Sequence, residues 1–329
     1  MDFAIKMDSA RTIVFKKNQG IVLNEATCIA YVVKRGEVKV VAIGNDAAKM
    51  MDRTGGDVVV VNPVKLGRIA DIELGKTYFR ELIKKIAGVI KPACVFVIPS
   101  TLTRDEINDW KSVVFSSNIK DAAFLPSVVT GAIELGYNPE LAESALGINI
   151  SEDGTDISVL SLGGIIRGGG LDEGGAKMTH AIREGIRKKF NLEIGNNMSR
   201  EARNETQTLY ENDGTEFLVT GIDMLTQIPR SAVLVARDTY QMTLPLYKKI
   251  AKAICQVVRQ CGPDIIRDLQ SGRIFVMGEG AAVVGAREFL QIEIGMNVVL
   301  NEKSVHASIM AAGKLLNNPQ LLQKLVKAN

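Results

Sequence analysis

One pattern occurs twice in this chain and limits what it can fold into. Phe3 to Met7 is a short apolar strand pattern, Asp8 to Arg11 a polar turn, Thr12 to Phe15 a second strand and Gly20 to Leu23 a third. From Ala145 the order returns: a strand to Ile150, the turn Ser151 to Gly154, a strand from Thr155 to Leu162, then Gly163, Gly164 and a third strand. Lys6 to Thr12 and Asn149 to Thr155 span equal distances, so the two turns correspond position by position. Alternating strand and helix patterns follow each copy, which predicts two related α/β domains facing one another across a cleft. A chance recurrence of hairpins is the alternative. With 329 residues, 46% of them hydrophobic, the chain can fill a core in each domain.

The remaining segments supply the elements. Val58 to Val61 and Cys94 to Ile98 read as buried strands, and Lys76 to Ile86 as a helix with apolar residues at helical spacing. Thr103 to Phe115 is predicted as a helix opened by a capping box of Thr103 and Glu106. Met178 to Phe190 forms a basic amphipathic helix and Tyr240 to Gln260 a long one, with a turn at Asn212 to Gly214. Arg273 to Met277 is a strand that enters Gly278, Glu279, Gly280 and a helix start rich in small residues. Such a turn admits close backbone approach and an anion at the helix start, although a plain tight turn explains it equally well.

Charge and cysteine narrow the function classes. Lys and Arg total 40 against 37 Asp and Glu, a net of +3 without a basic block, so nucleic acid is not an expected partner. Cys28, Cys94, Cys255 and Cys261 have no CxxC spacing and suit small buried residues of a reducing compartment, not disulfides or a metal site. The first residues run into a strand pattern, unlike a signal peptide, and no apolar run approaches the ~18 residues of a membrane span. A cytoplasmic protein is expected.

The order of segments resembles the MreB family of bacterial cell-shape proteins, within the superfamily of actin, sugar kinases and heat-shock chaperones. The match runs from end to end. It is carried by Ser9-Ala10-Arg11-Thr12, Arg53-Thr54, Asn62-Pro63-Val64-Lys65, Gly67-Arg68-Ile69-Ala70-Asp71 and Ile98-Pro99-Ser100 with Thr103. Ser161-Leu162-Gly163-Gly164-Ile165, Lys177-Met178, Thr220-Gly221, Pro229-Arg230 and Ala311-Ala312-Gly313-Lys314 continue it at nearly the family's spacing. The resemblance implies an α/β, actin-like fold: two ribonuclease-H-like domains about a central cleft, each with a smaller subdomain. Domain I would comprise residues 1–139 and 305–329, with a small subdomain near 32–62, and domain II residues 140–304, with one near 179–238.

The resemblance also implies an ATP and magnesium site, which the residues here contradict. In the first phosphate loop Lys6 stands where the family has a metal-organising Asp and Asp8 where it has Gly, beside the matching Ser9, Arg11 and Thr12. A lysine can pair with phosphate but cannot organise magnesium, and Asp8 repels phosphate. The second loop, an Asp, three glycines and a Thr in the family, reads Asn149, Ser151, Glu152, Asp153, Gly154 and Thr155. The water-polarising Glu aligns with Phe124 and Leu125 before Pro126, and a further family Asp with Ala176. The adenosine loop keeps Gly278, Gly280 and Ala281 but holds Glu279 between the glycines. Arg203 and Glu205 match the adenine and ribose helix, or are a solvated helix face.

Five separate losses lead to the expectation of a pseudo-ATPase with no catalytic residue, no bound metal and ATP binding weak or absent. Lys6 is expected near one or more of Asp8, Glu152 and Asp153. A cation site formed by Asp8, Glu152, Asp153 and Glu279 is a lesser alternative. By family likeness the chain is expected to be a filament subunit or a partner of MreB-type filaments in cell shape. An active ATPase with an altered site and a non-polymerising adapter or small-ligand-binding protein are the other readings. Family members often bind the inner membrane through an N-terminal amphipathic helix, missing here, or an apolar loop. The loop aligns with Ala87 to Pro92, where Val89 and Ile90 lie beside Lys84, Lys85 and Lys91. Packing of Val89 and Ile90 under the preceding helix is the alternative.

Overall fold

Burial on both faces explains the start of the chain. Strand β1 (Phe3–Met7) is buried along its whole length and reads FAIKM, a continuous apolar run interrupted only by Lys6. It pairs antiparallel with β2 (Arg11–Lys16), placing Ile5 opposite Val14, and β3 (Gly20–Ala26) completes the meander. The computed structural model describes residues 1–51 and 57–329, so the Arg53-Thr54 match lies outside the described residues.

A small sheet follows, built from β4 (Ile29–Lys34), β5 (Glu37–Ile43) and β6 (Val58–Val61) in the order β5-β4-β6, with helix α1 (Asn45–Met50) between β5 and β6 in the chain. Its core is thin, centred on Cys28, Ala30 and Ala47. A tight hairpin, β7 (Val64–Lys65) and β8 (Arg68–Ile69), leads to α2 (Ile72–Ala87). This helix starts four residues ahead of the Lys76 expected from apolar spacing, because the Asp71 side chain caps it by accepting from the Leu74 amide at 2.9 Å. Its inward stripe is Tyr78, Phe79, Leu82 and Ile83.

Strand β9 (Ala93–Ile98), helix α3 (Arg104–Phe115), strand β10 (Asp121–Pro126) and helix α4 (Ser127–Glu134) come next. The capping box of α3 forms as read: the Thr103 hydroxyl accepts from the Glu106 amide and the Glu106 carboxylate from the Thr103 amide. The sheet has the order β10-β9-β1-β2-β3, with β9 parallel to β1 and β10 parallel to β9. Its core gathers Ile5, Phe79, Phe96 and Trp110, the Phe79 and Trp110 rings meeting edge-on at 5.8 Å.

The second copy of the pattern opens a second sheet. Strands β11 (Ala145–Ile150), β12 (Thr155–Ser161) and β13 (Gly164–Leu171) are followed by α5 (Gly175–Phe190), β14 (Leu192–Glu193) and α6 (Asn196–Thr206). Then come β15 (Glu216–Asp223), β16 (Pro229–Val235), α7 (Ala236–Arg259), α8 (Pro263–Gln270), β17 (Ile274–Met277) and α9 (Ala286–Ile294). The larger sheet has the order β13-β12-β11-β17, with β11 and β17 parallel, and the smaller one β14-β15-β16. Two expectations are corrected. Helix α7 begins at Ala236, not Tyr240, and carries Pro245 inside it. The residues after Gly278 form a 3-10 turn, Glu279–Ala282, and the α-helix expected after Gly280 starts only at Ala286.

Helices α10 (Ala307–Leu315) and α11 (Pro319–Ala328) end the chain. One compact unit comprises Met1–Ala142, Leu160–Gly168 and His306–Asn329, the other Glu143–Val159 and Gly169–Val305. Among the described residues no helix is long and apolar enough to cross a membrane. All four cysteines are free; Cys28 and Cys94 are buried, whereas Cys255 and Cys261 are only partly so.

Candidate functional site

In the first unit, the turn between β1 and β2 is closed by its own acid. The Asp8 carboxylate accepts from the amides of Ala10 at 2.9 Å and Arg11 at 2.8 Å, and the Asp8 amide donates to the Arg11 carbonyl at 3.1 Å. The other carboxylate oxygen lies 4.0 Å from the Lys6 ammonium, both side chains being 9% exposed. Lys6 and Asp8 therefore do meet. A turn with glycine at this position would leave such amides open to a ligand oxyanion, whereas here the chain's own oxygen takes them.

The neighbouring residues hold the turn and are themselves engaged. The Ser9 carbonyl accepts from the Asn62 side chain at 2.8 Å, which gives the Asn62-Pro63 match a structural role. Thr12 is fully buried, its hydroxyl 2.9 Å from those of both Thr27 and Tyr78. Burial pushes the Tyr78 hydroxyl far up from its ordinary value, so it stays protonated. Arg11 turns to Asn24, donating to its side chain and carbonyl. His306, just ahead of α10, is held below the usual imidazole value by burial and then by the charges of Lys6 and Arg11.

In the second unit, the turn between β11 and β12 is closed in a different way. The Ser151 amide and hydroxyl both donate to the Gly154 carbonyl, at 2.9 and 3.0 Å. The first amides of α5, on Gly175 and Ala176, donate to the carbonyls of Ser151 and Glu152 at 3.0 and 2.9 Å. A helix start is an anion site only while its amides are open, and these are filled by the loop. Thr155 is buried and its hydroxyl donates to the Glu173 carbonyl at 2.6 Å. Asn149, at the end of β11 opposite Met277, is buried, as is Asp153.

Glu152 pairs with Arg203 of α6 at 2.7 Å, not with Lys6. The side chains are 4% and 12% exposed, and a side chain on Gly175 would collide with both charged groups. Glu205 is exposed on α6, because residues two apart on a helix point to different faces. The structure thus brings Arg203 to the loop and leaves Glu205 outside. This partnership was missed in the sequence, and its only signal there was a retained arginine accompanying two new loop acids.

The remaining positions have structural occupants. Gly278 adopts φ 90°, and side chains at Gly278 or Gly280 would strike Ile150, so the close approach these glycines allow is to β11. Glu279 between them is partly buried. The Tyr247 hydroxyl donates to the Gly280 carbonyl at 3.3 Å, and burial pushes it far up while the nearby Arg203 charge opposes this. Where a base would stand, Leu125 is fully buried and Phe124 stacks on Phe96 at 5.4 Å. Ala176 lies in the first turn of α5. Among the described residues no group of three or more His, Cys, Asp or Glu could hold a metal ion. In the loop after α2, Val89 is 95% and Ile90 70% exposed, which rules out packing beneath the helix; Lys84 and Lys91 are exposed and Lys85 is tied to Glu25 at 2.7 Å.

Comparison with known proteins places the whole chain in one family. The sequence profile of the family described as MreB/Mbl protein matches residues 1–324. The cell shape-determining protein Mbl of Bacillus cereus is 26% identical over 327 residues, 98% of either chain. Among solved structures, MreB5 of Spiroplasma citri bound to AMPPNP superimposes with a TM-score of 0.87 at 20% identity, covering 100% of this chain and 99% of that one. The MamK double helical filament gives 0.76 at 14% identity over 96% of this chain and 99% of that one. The expected actin-like fold is thereby shown.

Proposed function

Because this chain belongs to the MreB/Mbl family of cell-shape proteins, we propose that it is a cytoskeletal filament subunit or filament partner that has lost ATP turnover. The observation that carries this reading is that both turns corresponding to phosphate loops are closed by the chain's own oxygens: the Asp8 carboxylate in one unit, the Ser151, Glu152 and Gly154 carbonyls in the other. A phosphate at either turn would have to displace these bonds and then face that turn's own buried acids, Asp8 in the first unit or Glu152 and Asp153 in the second. A fully buried Leu125 in place of a base leaves nothing to activate water. Self-association is inferred from the family and from the MamK neighbour, whose structure is a filament. The exposed Val89 and Ile90 beside exposed lysines support a place at the inner face of an anionic cytoplasmic membrane.

Phosphate release by the purified protein, with magnesium ATP and with ATP in EDTA, tests the loss of turnover. No release above the buffer blank is expected in either case. Magnesium-dependent release that Lys6→Ala abolishes would favour an active ATPase with an altered site.

A further inference from the structure

Resting on the closed-loop reading above, we infer that Glu152 is an internal ligand for Arg203, and that their ion pair is a built-in brace between the two cores of the second unit. The larger core contains Leu146, Ile148 and Ile150 of β11; the smaller contains Ile182, Ile186, Ala202, Val219 and Leu234. Two helices run through both. Helix α5 places Met178 in the larger core and Ile182 in the smaller, while α7 places Tyr247 in the larger and packs Met242 on the smaller. The ion pair adds a further connection, because Glu152 follows β11 whereas Arg203 adjoins Ala202 on α6.

The site is built for the pair. Gly175 at the start of α5 leaves room for the carboxylate and guanidinium to meet where any side chain would intrude on both. Almost all of both side chains is out of water, and the contact is a 2.7 Å charge-assisted hydrogen bond. Such a pair is strongly coupled: removing one member leaves a buried charge without its counter-charge, whereas removing both does not. The carboxylate occupies the guanidinium within the fold and so denies the arginine to outside anions.

A double-mutant cycle on the full chain tests the brace, using Glu152→Gln, Arg203→Gln and the two together. Each single variant is expected to lower the thermal unfolding midpoint by ~5 °C, with the double variant losing clearly less than the sum. Native-state hydrogen exchange of α6 should quicken in the single variants while α8 stays as in the wild type. Additive losses, or α6 amides exchanging at the wild-type rate in Glu152→Gln, would overturn the brace. Adding magnesium ATP separates the two claims: a raised wild-type midpoint counts against the loss of nucleotide binding, while the cycle decides the brace by itself.

Discussion

Asp8 shows how one carboxylate can close a turn on itself. Its carboxylate satisfies two backbone amides and stands 4.0 Å from Lys6, so replacing it strips three groups of their partner. Asp8→Ala should therefore lower stability by ~3 kcal/mol, chiefly by leaving a buried ammonium uncompensated; an unchanged urea midpoint would contradict this. The sequence made the intrusion of acids into both loops visible, since a carboxylate where glycine is expected repels phosphate whatever the fold. It did not reveal where those acids point. Asp8 bonds within three residues, a local pattern that Asx turns make readable. Glu152 finds its partner 51 residues away, and only the packing of α6 beside the loop brings Arg203 there.

At the scale of elements, local chemistry was legible where a side chain fixes a boundary. The Thr103 and Glu106 capping box is legible because its spacing is specific. Helix α2 starts ahead of its apolar stripe because the Asp71 cap, not the stripe, sets its beginning, whereas α7 starts at Ala236 with no side-chain cap to mark it. The small residues after Gly280 suit either a helix start or a tighter turn, and the structure has the 3-10 turn Glu279–Ala282, with Gly278 and Gly280 close against Ile150. The loop after α2 carries the next prediction. Val89 and Ile90 are exposed in the folded chain, so Val89→Ser with Ile90→Ser should change stability by no more than ~0.5 kcal/mol. Membrane burial would yield roughly 1.5 to 3 kcal/mol for each side chain, so a single copy should bind weakly and an assembled row firmly. Sedimentation with anionic liposomes should show wild type pelleting and the double variant remaining in solution. Equal binding would remove this loop as an anchor.

For the whole molecule, the repeat was the most informative feature. Each copy of the strand, turn and strand pattern opens a sheet whose first strand also pairs with a later parallel strand, β1 with β9 and β11 with β17. The two copies are visible in the sequence because the same order of strand, turn and strand recurs, whereas the later parallel partners come only from the structure. Helices α10 and α11 return to the first unit after the whole of the second has been formed, a placement that the family resemblance implies and that residue patterns alone do not give. The central claim, that the fold has been kept for assembly while nucleotide has been dispensed with, is tested most directly by electron microscopy of the purified protein after enzymatic removal of residual nucleotide. Filaments are expected in its absence and should be unaltered by magnesium ATP; filaments that form only when ATP is added, and disassemble as phosphate is released, would contradict it.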